Sequence, residues 1–283
     1  MTNKLIKDIM SIQEIMGYSG NEFSQAIQIE PVSLNRIKKQ EVLPSEETIE
    51  KIYNFAYKNN IQLNKLKEMF YKEETKKNNV ILFHGSKNGI KGNINLKQSR
   101  GTNDFGPGFY LGESMEQTIT FVSRFPKSSA YIFSFNTQNL KSIKFNVDRD
   151  WMLTIAYFRQ RLNHFKDSEQ LQRLILQLDD IDYIIAPIAD NRMFQIINTF
   201  IDAEITDEQC KHCLAATNLG FQYVLKSEKA INHLMLLEQC YLCNDEKQYY
   251  RDLKESLDLL GQDKVKIARR EYRGKGKYIE EIL

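Results

Sequence analysis

The chain has 283 residues, of which 42% are apolar and 27% are charged. This composition is typical of a folded globular protein and excludes an intrinsically disordered one, which would have fewer apolar residues and a high net charge. The length predicts about two domains. The formal net charge of +2 neither requires nor excludes a nucleic-acid partner, because the charges are spread along the chain.

The sequence carries no signal for a membrane. Its first ten residues lack the continuous apolar run of a signal peptide. No apolar run approaches the roughly 20 residues needed to cross a bilayer. We therefore expect a soluble, cytoplasmic protein without a membrane partner.

Five short helices are predicted in residues 1–71. Apolar residues recur at helical spacing from Leu5 onwards. Ser19 and Glu22 have the S-x-x-E form of a capping box at the start of the second helix. Pro31 suits the first turn of the third helix, and two further helices are predicted after Pro44. The interior residues predicted for these last two helices are Ile49, Ile52, Phe55, Ala56, Leu63, Leu66 and Phe70.

This succession of helices resembles the helix-turn-helix domain of phage repressors and their bacterial relatives. A tight turn at residues 29–31 and the small Ala26, which lets two helices cross closely, carry the resemblance. It implies that the third helix contacts duplex DNA, often as a dimer on two half-sites. The alternative is a helical bundle that docks on protein or on its own partner domain. The predicted DNA-binding residues are Ser33, Asn35, Arg36, Lys38 and Lys39.

After an all-polar linker, residues 72–79, short strands alternate irregularly with helices in residues 80–243, which predicts an α+β domain. A terminal helix is predicted to begin near Ser227 and to continue through Leu234 and Leu237. The strands are predicted at residues 80–83, 109–111, 130–135, 143–147, 183–186 and 221–225. The other helices are predicted at residues 115–126, 151–178 as a pair, 193–201 and 207–216.

Two motifs at predicted strands of this domain point to a binding site. The apolar run 80–83 ends on the tripeptide HGS, which begins with His84, and a Gly/Pro-rich turn, residues 104–108, leads into the strand that contains Tyr110. Side chains presented from rigid strands suit a binding site. The alternative is that the His is structural, the Tyr belongs to the core, and residues 104–108 are only a turn.

Together, HGS, GFYL and the later QYVL resemble motifs of the ADP-ribosyltransferase fold, in its diphtheria-toxin and poly-ADP-ribose-polymerase-like branch. Residues 80–243 resemble more closely a bacterial family of that fold. The resemblance implies a split β-sandwich with NAD bound between its sheets. It implies that His84 hydrogen-bonds a ribose hydroxyl, that the backbone of Gly85 pairs with the carboxamide, and that Tyr110 stacks on the nicotinamide ring.

The third residue of the family pattern is usually Glu, and the matching position here is Gln222. A Gln can hydrogen-bond a ribose hydroxyl, but it brings no negative charge to an oxocarbenium ion. The departure is compatible with slow transfer of a single ADP-ribose or with NAD binding without catalysis. Further residues implied in NAD binding are Ser86, Phe105, Gly108 and Arg192. The candidate acceptor carboxylates are Asp104, Asp190 and Glu228, although a polar turn at 190–192 and a helix start at 227–229 are alternatives.

The four cysteines form two CxxC pairs, Cys210/Cys213 and Cys240/Cys243, which is a pattern typical of zinc sites. The first pair lies at helical spacing on an apolar face, where a free Cys behaves as a small hydrophobic residue. The separation between the pairs is also longer than in common zinc sites. Buried thiols without a metal are therefore the preferred interpretation, and a zinc ribbon is the alternative.

An amphipathic helix is predicted from Asp245 to Leu260, with Gly261 as its end. It is followed by a basic tail, residues 264–277, in which half of the residues are Lys or Arg. Such a tail is either solvated or binds nucleic acid or an acidic surface.

The whole sequence leads to three hypotheses about function. The first is a mono-ADP-ribosyltransferase that uses NAD as a substrate, modifies a macromolecular acceptor and carries its own helix-turn-helix domain. Family resemblance places such an enzyme in a toxin or phage-defence setting. The second is a DNA-binding transcriptional regulator whose carboxy-terminal domain senses NAD, with Gln222 marking lost catalysis. The third is a protein-interaction module.

Overall fold

The computed structural model describes residues 2–216 and 220–283. It is a mixed α+β structure, as predicted, with a helical amino-terminal region followed by a mixed sheet and its covering helices. The helices are α1 (Thr2–Met16), α2 (Gly20–Ala26), α3 (Pro31–Lys38), α4 (Glu46–Lys58), α5 (Leu63–Glu73), α6 (Met115–Val122), α7 (Arg149–Phe158), α8 (Glu169–Leu176), α9 (Asn191–Ile201), α10 (Asp207–Ala215), α11 (Glu228–Asn232) and α12 (Asn244–Glu271). The strands are β1 (Asn79–Ser86), β2 (Phe109–Gly112), β3 (Ser129–Asn136), β4 (Ser142–Lys144), β5 (Tyr183–Pro187), β6 (Phe221–Leu225) and β7 (Leu234–Tyr241). Within these ranges no helix combines the length and apolar character needed to cross a bilayer.

The five predicted amino-terminal helices are confirmed, and local caps explain where they begin. Ser19 accepts a hydrogen bond from the Glu22 backbone N–H (3.3 Å), and the Glu22 carboxylate accepts one from the Ser19 N–H (2.7 Å). This is the predicted capping box. Pro31 occupies the first turn of α3, whose inner face buries Leu34 and Ile37. The helices share one core cluster of buried apolar residues.

The inner face predicted for α5 is wrong at Leu66 and Phe70, which are 44% and 53% exposed. The helix instead turns Asn64, Lys67 and Tyr71 towards the edge strand β7, where each makes a polar contact. Apolar periodicity marks the buried face of a helix only when that face is apolar. Because α5 packs through a polar face, its periodicity pointed to the wrong side.

A buried ionic network joins the amino-terminal helices to β7. The Lys67 ammonium lies 2.7 Å from carboxylate oxygens of both Asp8 and Glu238, and the two carboxylates are each only about 8% exposed. The hydroxyls of Tyr53 and Tyr71 donate to Asp8 (2.5 Å) and Glu238 (2.9 Å) respectively. Carboxylates taken out of water need such partners, because an unpaired buried charge is strongly destabilising. The network therefore makes the helical region and the sheet one packed unit.

A buried carboxyl in the first turn of α12 is expected to make stability fall with rising pH. Glu246 is 5% exposed, accepts a hydrogen bond from Asn64 (2.9 Å), and burial raises its pKa from 4.5 to about 7. The folded state then holds a proton on Glu246 that the unfolded state loses. The contribution of this group to the free energy of unfolding is complete below about pH 4.5, and it is lost as the pH rises through about 7. We expect Glu246→Gln to remove this loss, and to exceed the wild type by about 1–3 kcal/mol at pH 8.

Urea denaturation between pH 4.5 and pH 8 measures this effect. The matched control is Glu255→Gln on the same helix, because the Glu255 side chain is exposed. A Glu246→Gln variant whose free energy of unfolding depends on pH as steeply as that of the wild type would contradict the assignment.

The strands form a hydrogen-bonded series in the order β4-β5-β6-β2-β1-β3-β7 among the described residues. Strand β1 pairs with β3 over eight residues, and β2 pairs with β6 over four. In contrast, β1 and β2 share a single register pair, Phe83 with Gly112. The sheet is therefore nearly divided into two halves, β7-β3-β1 and β2-β6-β5-β4, and His84 of β1 and Tyr110 of β2 lie at the division.

The terminal helix predicted through Leu234 and Leu237 is wrong. Helix α11 ends at Asn232, and the next residues form β7, which pairs with β3 from Leu234 opposite Phe135 to Tyr241 opposite Ser129. A short apolar run fits a buried helix or a strand equally well by periodicity. The open edge of β3 decides the matter, because its backbone groups need partners.

The end predicted for the following helix at Gly261 is also wrong, since α12 continues to Glu271. The glycine lies where α12 passes over the Arg192 guanidinium. A Cβ atom at this position would be 2.3 Å from Arg192 Nη1, so a larger residue here would require the end of the Arg192 side chain to move. The glycine therefore serves packing between α9 and α12 and does not end the helix.

All four cysteine thiols are free and buried, as the preferred interpretation predicted. Cys210 and Cys213 belong to the core beneath α10, whereas Cys240 and Cys243 lie in two other core clusters. A zinc ribbon needs all four sulfurs around one point. Across residues 2–216 and 220–283, no three potential metal-ligating side chains form such a group.

Candidate functional site

A cavity of about 810 Å³ opens at the division of the sheet. Its volume lies in the range of ordinary small-molecule sites, roughly 300–1,000 Å³. Strands β1, β2 and β6, helix α6 and the loop that precedes β2 all contribute to its wall. His84, Tyr110 and Gln222 come from three different strands, and all three line this one cavity. The predicted motif residues are therefore neighbours in the folded chain.

The half-buried His84 has its tautomer set by the backbone of β2. Its Nδ1 lies 2.8 Å from the Tyr110 carbonyl oxygen, and its ring stacks on Phe109 at a centroid distance of 4.4 Å. A carbonyl can only accept, so the proton is assigned to Nδ1 and Nε2 remains the acceptor of the neutral ring. Burial lowers the pKa of His84, and this effect outweighs the hydrogen bond to Tyr110, which raises the pKa. The ring is therefore neutral near pH 7 and suited to accept from a hydroxyl.

Tyr110 contributes a wall of the cavity and also holds the turn at 104–108. Its hydroxyl donates to the Gly106 carbonyl (2.7 Å) and accepts from the Phe105 N–H (3.1 Å). The Lys226 ammonium secures the same turn by donating to the carbonyls of Phe105 and Pro107, each at 2.6 Å. Burial raises the pKa of Tyr110 and lowers that of Lys226 to about 8. The turn is thus built from backbone groups bound by two side chains of the sheet.

Gln222 belongs to a buried polar cluster at the base of the cavity. Its Nε2 donates to Asp104 Oδ2 (3.0 Å) and to the Pro187 carbonyl (3.2 Å). The other oxygen of Asp104 accepts from Nε of Arg159 (3.0 Å) and from a second guanidinium nitrogen. The same guanidinium donates to the Ala189 carbonyl (2.9 Å). Asp104 and Gln222 are 7% and 6% exposed, so these bonds form in surroundings with little water.

This cluster determines what Gln222 can offer a ligand. Both partners of its Nε2 are acceptors, so the amide orientation follows from the network, and Oε1 is left as the acceptor of the side chain. A carboxylate, Asp104, lies one hydrogen bond away, and the Arg159 guanidinium balances its charge. Arg159 was not among the residues predicted from the sequence. An ion pair between residues 55 positions apart follows no spacing rule, so only the fold could reveal it.

The other predicted site residues divide into two groups. Gly85, Ser86, Asp104 and Gly108 line the cavity. The predicted ligand contact of the Phe105 side chain needs correction, because that side chain is fully buried in the core. The predicted contact of Arg192 with NAD also needs correction, because Arg192 does not line the cavity and its guanidinium donates to the Asp258 carbonyl of α12 (3.0 Å).

Two predicted acceptor carboxylates lie elsewhere as well. Asp190 caps α9 by accepting from the Met193 N–H (2.8 Å), and Glu228 stands in the first turn of α11. Neither residue lines the cavity. Asp104 does line it, but both of its oxygens already accept hydrogen bonds. Asp104 and Asp190 are therefore engaged within the protein, and Glu228 lies outside the cavity.

Residues 80–236 match the model of a protein family described as "Protein of unknown function (DUF3990)". This range is more than half of the 283 residues. The chain belongs to this family. The matched range extends from β1 into β7 and contains every residue of the buried cluster, together with His84 and Tyr110. No curated protein and no solved structure matches the chain.

The helical region, which precedes the family range, presents most of the predicted DNA-binding residues to solvent. Ser33, Asn35, Arg36 and Lys39 are exposed on or just after α3, and Arg36 lies 3.7 Å from the Glu41 carboxylate. Lys38 is half-buried and donates to the Gln13 side chain (2.7 Å). Lys38 is therefore tied to α1, whereas the other four remain accessible.

Gly85 allows α6 to approach β1, and we expect Gly85→Ala to destabilise the protein by about 1–3 kcal/mol. A Cβ atom here would lie 2.6 Å from Val122 Cγ1 and 3.1 Å from the Thr118 carbonyl oxygen. Chemical denaturation measures the change. Adding Val122→Ala should recover part of the loss. Gly101→Ala is the control, because a Cβ at Gly101 meets nothing within 4 Å, and an equal loss in that variant would contradict the steric explanation.

Proposed function

We propose that the protein is a mono-ADP-ribosyltransferase that transfers ADP-ribose from NAD to a macromolecular acceptor. The observation that carries this proposal is the convergence of His84, Tyr110 and Gln222 on one cavity of about 810 Å³. These residues carry the sequence resemblance to the ADP-ribosyltransferase fold, and nothing in their spacing alone requires them to meet. The near-division of the sheet between β1 and β2 supports a split β-sandwich of that fold.

Each residue of the convergence suits a part of NAD. The neutral His84 ring offers Nε2 to a ribose hydroxyl, and the backbone of Gly85 beside it pairs with the carboxamide. The Tyr110 ring stacks on the nicotinamide, while its hydroxyl keeps the turn at 104–108 in place. Gln222 offers Oε1 to a hydroxyl of the nicotinamide ribose. Such contacts hold the sugar in the geometry required for bond cleavage.

The electrostatics of the site predict a slow enzyme. Cleavage of the N-glycosidic bond develops positive charge at the anomeric carbon, and nearby negative charge would stabilise it. Gln222 is neutral, and Asp104, which lies behind it, is paired with Arg159. The cluster therefore supplies a polarised amide without a net negative charge. Weak stabilisation is consistent with transfer of single ADP-ribose groups.

A second candidate function is a DNA-binding regulator that senses NAD. The balanced Asp104–Arg159 pair behind Gln222 favours it, because a ligand can bind there without being cleaved. In this case α3, with Ser33, Asn35 and Arg36, contacts duplex DNA as in a helix-turn-helix domain, often as a homodimer. The ionic network around Lys67 couples this region to the sheet that forms the cavity.

Incubation of the pure protein with NAD labelled in the adenosine half, with cell lysate, tests the proposal. The readouts are nicotinamide release and label in macromolecules, compared for the wild type, Tyr110→Ala and Gln222→Ala. Gln138→Ala is the matched control, because Gln138 is exposed and outside the cavity. Loss of both readouts in the two site variants supports a transferase. If calorimetry detects NAD binding but no nicotinamide is released, the transferase is rejected and the NAD-sensing regulator remains. If no NAD binds, both functions are rejected.

A further inference from the structure

One side of the cavity is formed by a cationic segment without carboxylates. Residues 86–103 contain four Lys or Arg residues and no Asp or Glu. Three of them, Lys87, Lys91 and Arg100, line the cavity and are exposed. None of the three forms an ion pair among the described residues. Their charge is therefore available to an anionic ligand.

Aromatic rings contact Lys87 and further cations outside the cavity. Phe121 lines the cavity, is 41% exposed and lies 5.9 Å from the Lys254 ammonium. Phe125 contacts two cations, with Lys87 at 4.6 Å and Arg124 at 4.8 Å from its ring centroid. The basic-aromatic surface consists of Lys87, Phe121, Arg124, Phe125 and Lys254, and it is continuous with the cavity through Lys87 and Phe121.

We propose that the basic-aromatic surface binds single-stranded nucleic acid, and that the bound strand is the acceptor of ADP-ribose. The second half of this inference rests on the proposed function. Single strands are held by cations along their phosphates and by aromatic rings on which bases stack. A duplex would hide the base faces that Phe121 could contact. The pyrophosphate of NAD carries only two negative charges and leaves Arg124 and Lys254, outside the cavity, without a role.

The transfer to a strand is chemically balanced. The N-glycosidic bond between the nicotinamide nitrogen and the ribose anomeric carbon breaks, and both electrons leave with nicotinamide, which becomes neutral. A lone pair on a base nitrogen forms the new bond to the anomeric carbon. The proton of that nitrogen passes to water, so no oxidant or reductant is needed.

Fluorescence anisotropy with a labelled 12-nucleotide oligothymidylate, on the full chain without NAD, tests the surface. Arg124→Gln should weaken binding about fivefold and reduce the slope of log K against log salt by about one. Phe121→Ala should weaken binding by about tenfold through lost stacking. The matched control is Lys166→Gln, which removes one exposed charge outside the cavity and should change affinity less than twofold; Lys166 forms no ion pair within residues 2–216 and 220–283.

Three results would overturn the binding surface. The first is equal weakening by Arg124→Gln and Lys166→Gln. The second is loss of binding only in Arg36→Gln, which would move the site to α3. The third is displacement of the labelled strand by an oligoglutamate peptide at the same concentration at which unlabelled oligonucleotide displaces it. This result would indicate an acidic protein partner.

Nicotinamide release without nucleic acid separates this inference from the proposed function. Arg124→Gln should leave basal release unchanged, because Arg124 does not line the cavity. The same variant should lower label transfer to the oligonucleotide about fivefold. If the strand binds but neither the wild type nor any variant releases nicotinamide, the transferase is rejected, and the basic-aromatic surface remains a binding surface for nucleic acid. Label found only on protein, with the strand bound, would reject nucleic acid as the acceptor.

Discussion

Replacement of Gln222 by glutamate is expected to lower the free energy of unfolding by about 3 kcal/mol, even though Glu is usual at the matching position of the ADP-ribosyltransferase motifs that the sequence resembles. The Nε2 group of Gln222 donates to Asp104 Oδ2 and to the Pro187 carbonyl. A carboxylate would face two acceptors in a buried site and would add a second negative charge beside Asp104. Arg159 can balance only one of them.

A double-mutant cycle with Asp104→Asn identifies the cause. In Asp104→Asn/Gln222→Glu the amide and the carboxylate exchange places, so Arg159 again balances a single charge, and we expect about 2 kcal/mol of the loss to return. Chemical denaturation at pH 7 gives the four free energies. Gln138→Glu makes the same change at an exposed site and should be nearly neutral. A double variant no more stable than Gln222→Glu alone would contradict direct pairing of residues 104 and 222.

The same double variant bears on the proposed chemistry. It moves the negative charge from Asp104 to residue 222, closer to where a ribose would bind, without altering the total charge of the cluster. If the site cleaves NAD, nicotinamide release should rise relative to the wild type. A folded double variant with unchanged or lower release would weigh against Gln222 as the residue that limits catalysis.

The second large effect is expected for Lys67→Met, which should lower the free energy of unfolding by about 3–5 kcal/mol. Lys67 is the shared partner of Asp8 and Glu238, both nearly buried. Burial by itself raises the pKa of Glu238, but the Lys67 ammonium holds this pKa below its usual range. Without Lys67, two carboxylates remain close together, with only Lys4 at 3.7 Å from one of them.

Neutralising the carboxylates should restore the stability of this interface. We expect Asp8→Asn/Lys67→Met/Glu238→Gln to recover most of the loss, because no buried charge is then unpaired. Lys65→Met is the control on the same helix, since Lys65 is exposed and forms no ion pair in the described structure. The idea would be refuted by a Lys67→Met variant within 1 kcal/mol of the wild type in urea denaturation.

Local sequence rules predicted the beginnings of several elements correctly. The capping box at Ser19 and Glu22 and the proline in the first turn of α3 act within one helical turn. Each signal therefore needs only neighbouring residues to be present. Several core strands of the central region were predicted for a similar reason, because they are short runs of β-branched and aromatic residues bounded by turn residues.

The errors arise where a distant partner decides the conformation. β7 is a strand because the edge of β3 is open, and Gly261 lies inside a helix at the place where α12 packs against Arg192. Leu66 and Phe70 are exposed because α5 buries a polar face against β7. None of these partners leaves a trace in the local pattern, since each contact joins residues far apart in the chain.

The candidate site depends both on local sequence patterns and on contacts between residues far apart in the chain. The apolar runs around His84 and Tyr110 are local features, and they were sufficient to predict that both residues stand on strands. The hydrogen bond from Gln222 to Asp104, and the pairing of that carboxylate with Arg159, became visible only in the folded chain. Buried polar groups must find partners wherever the fold brings them. Their pairing therefore depends on three-dimensional proximity, which no spacing along the chain encodes.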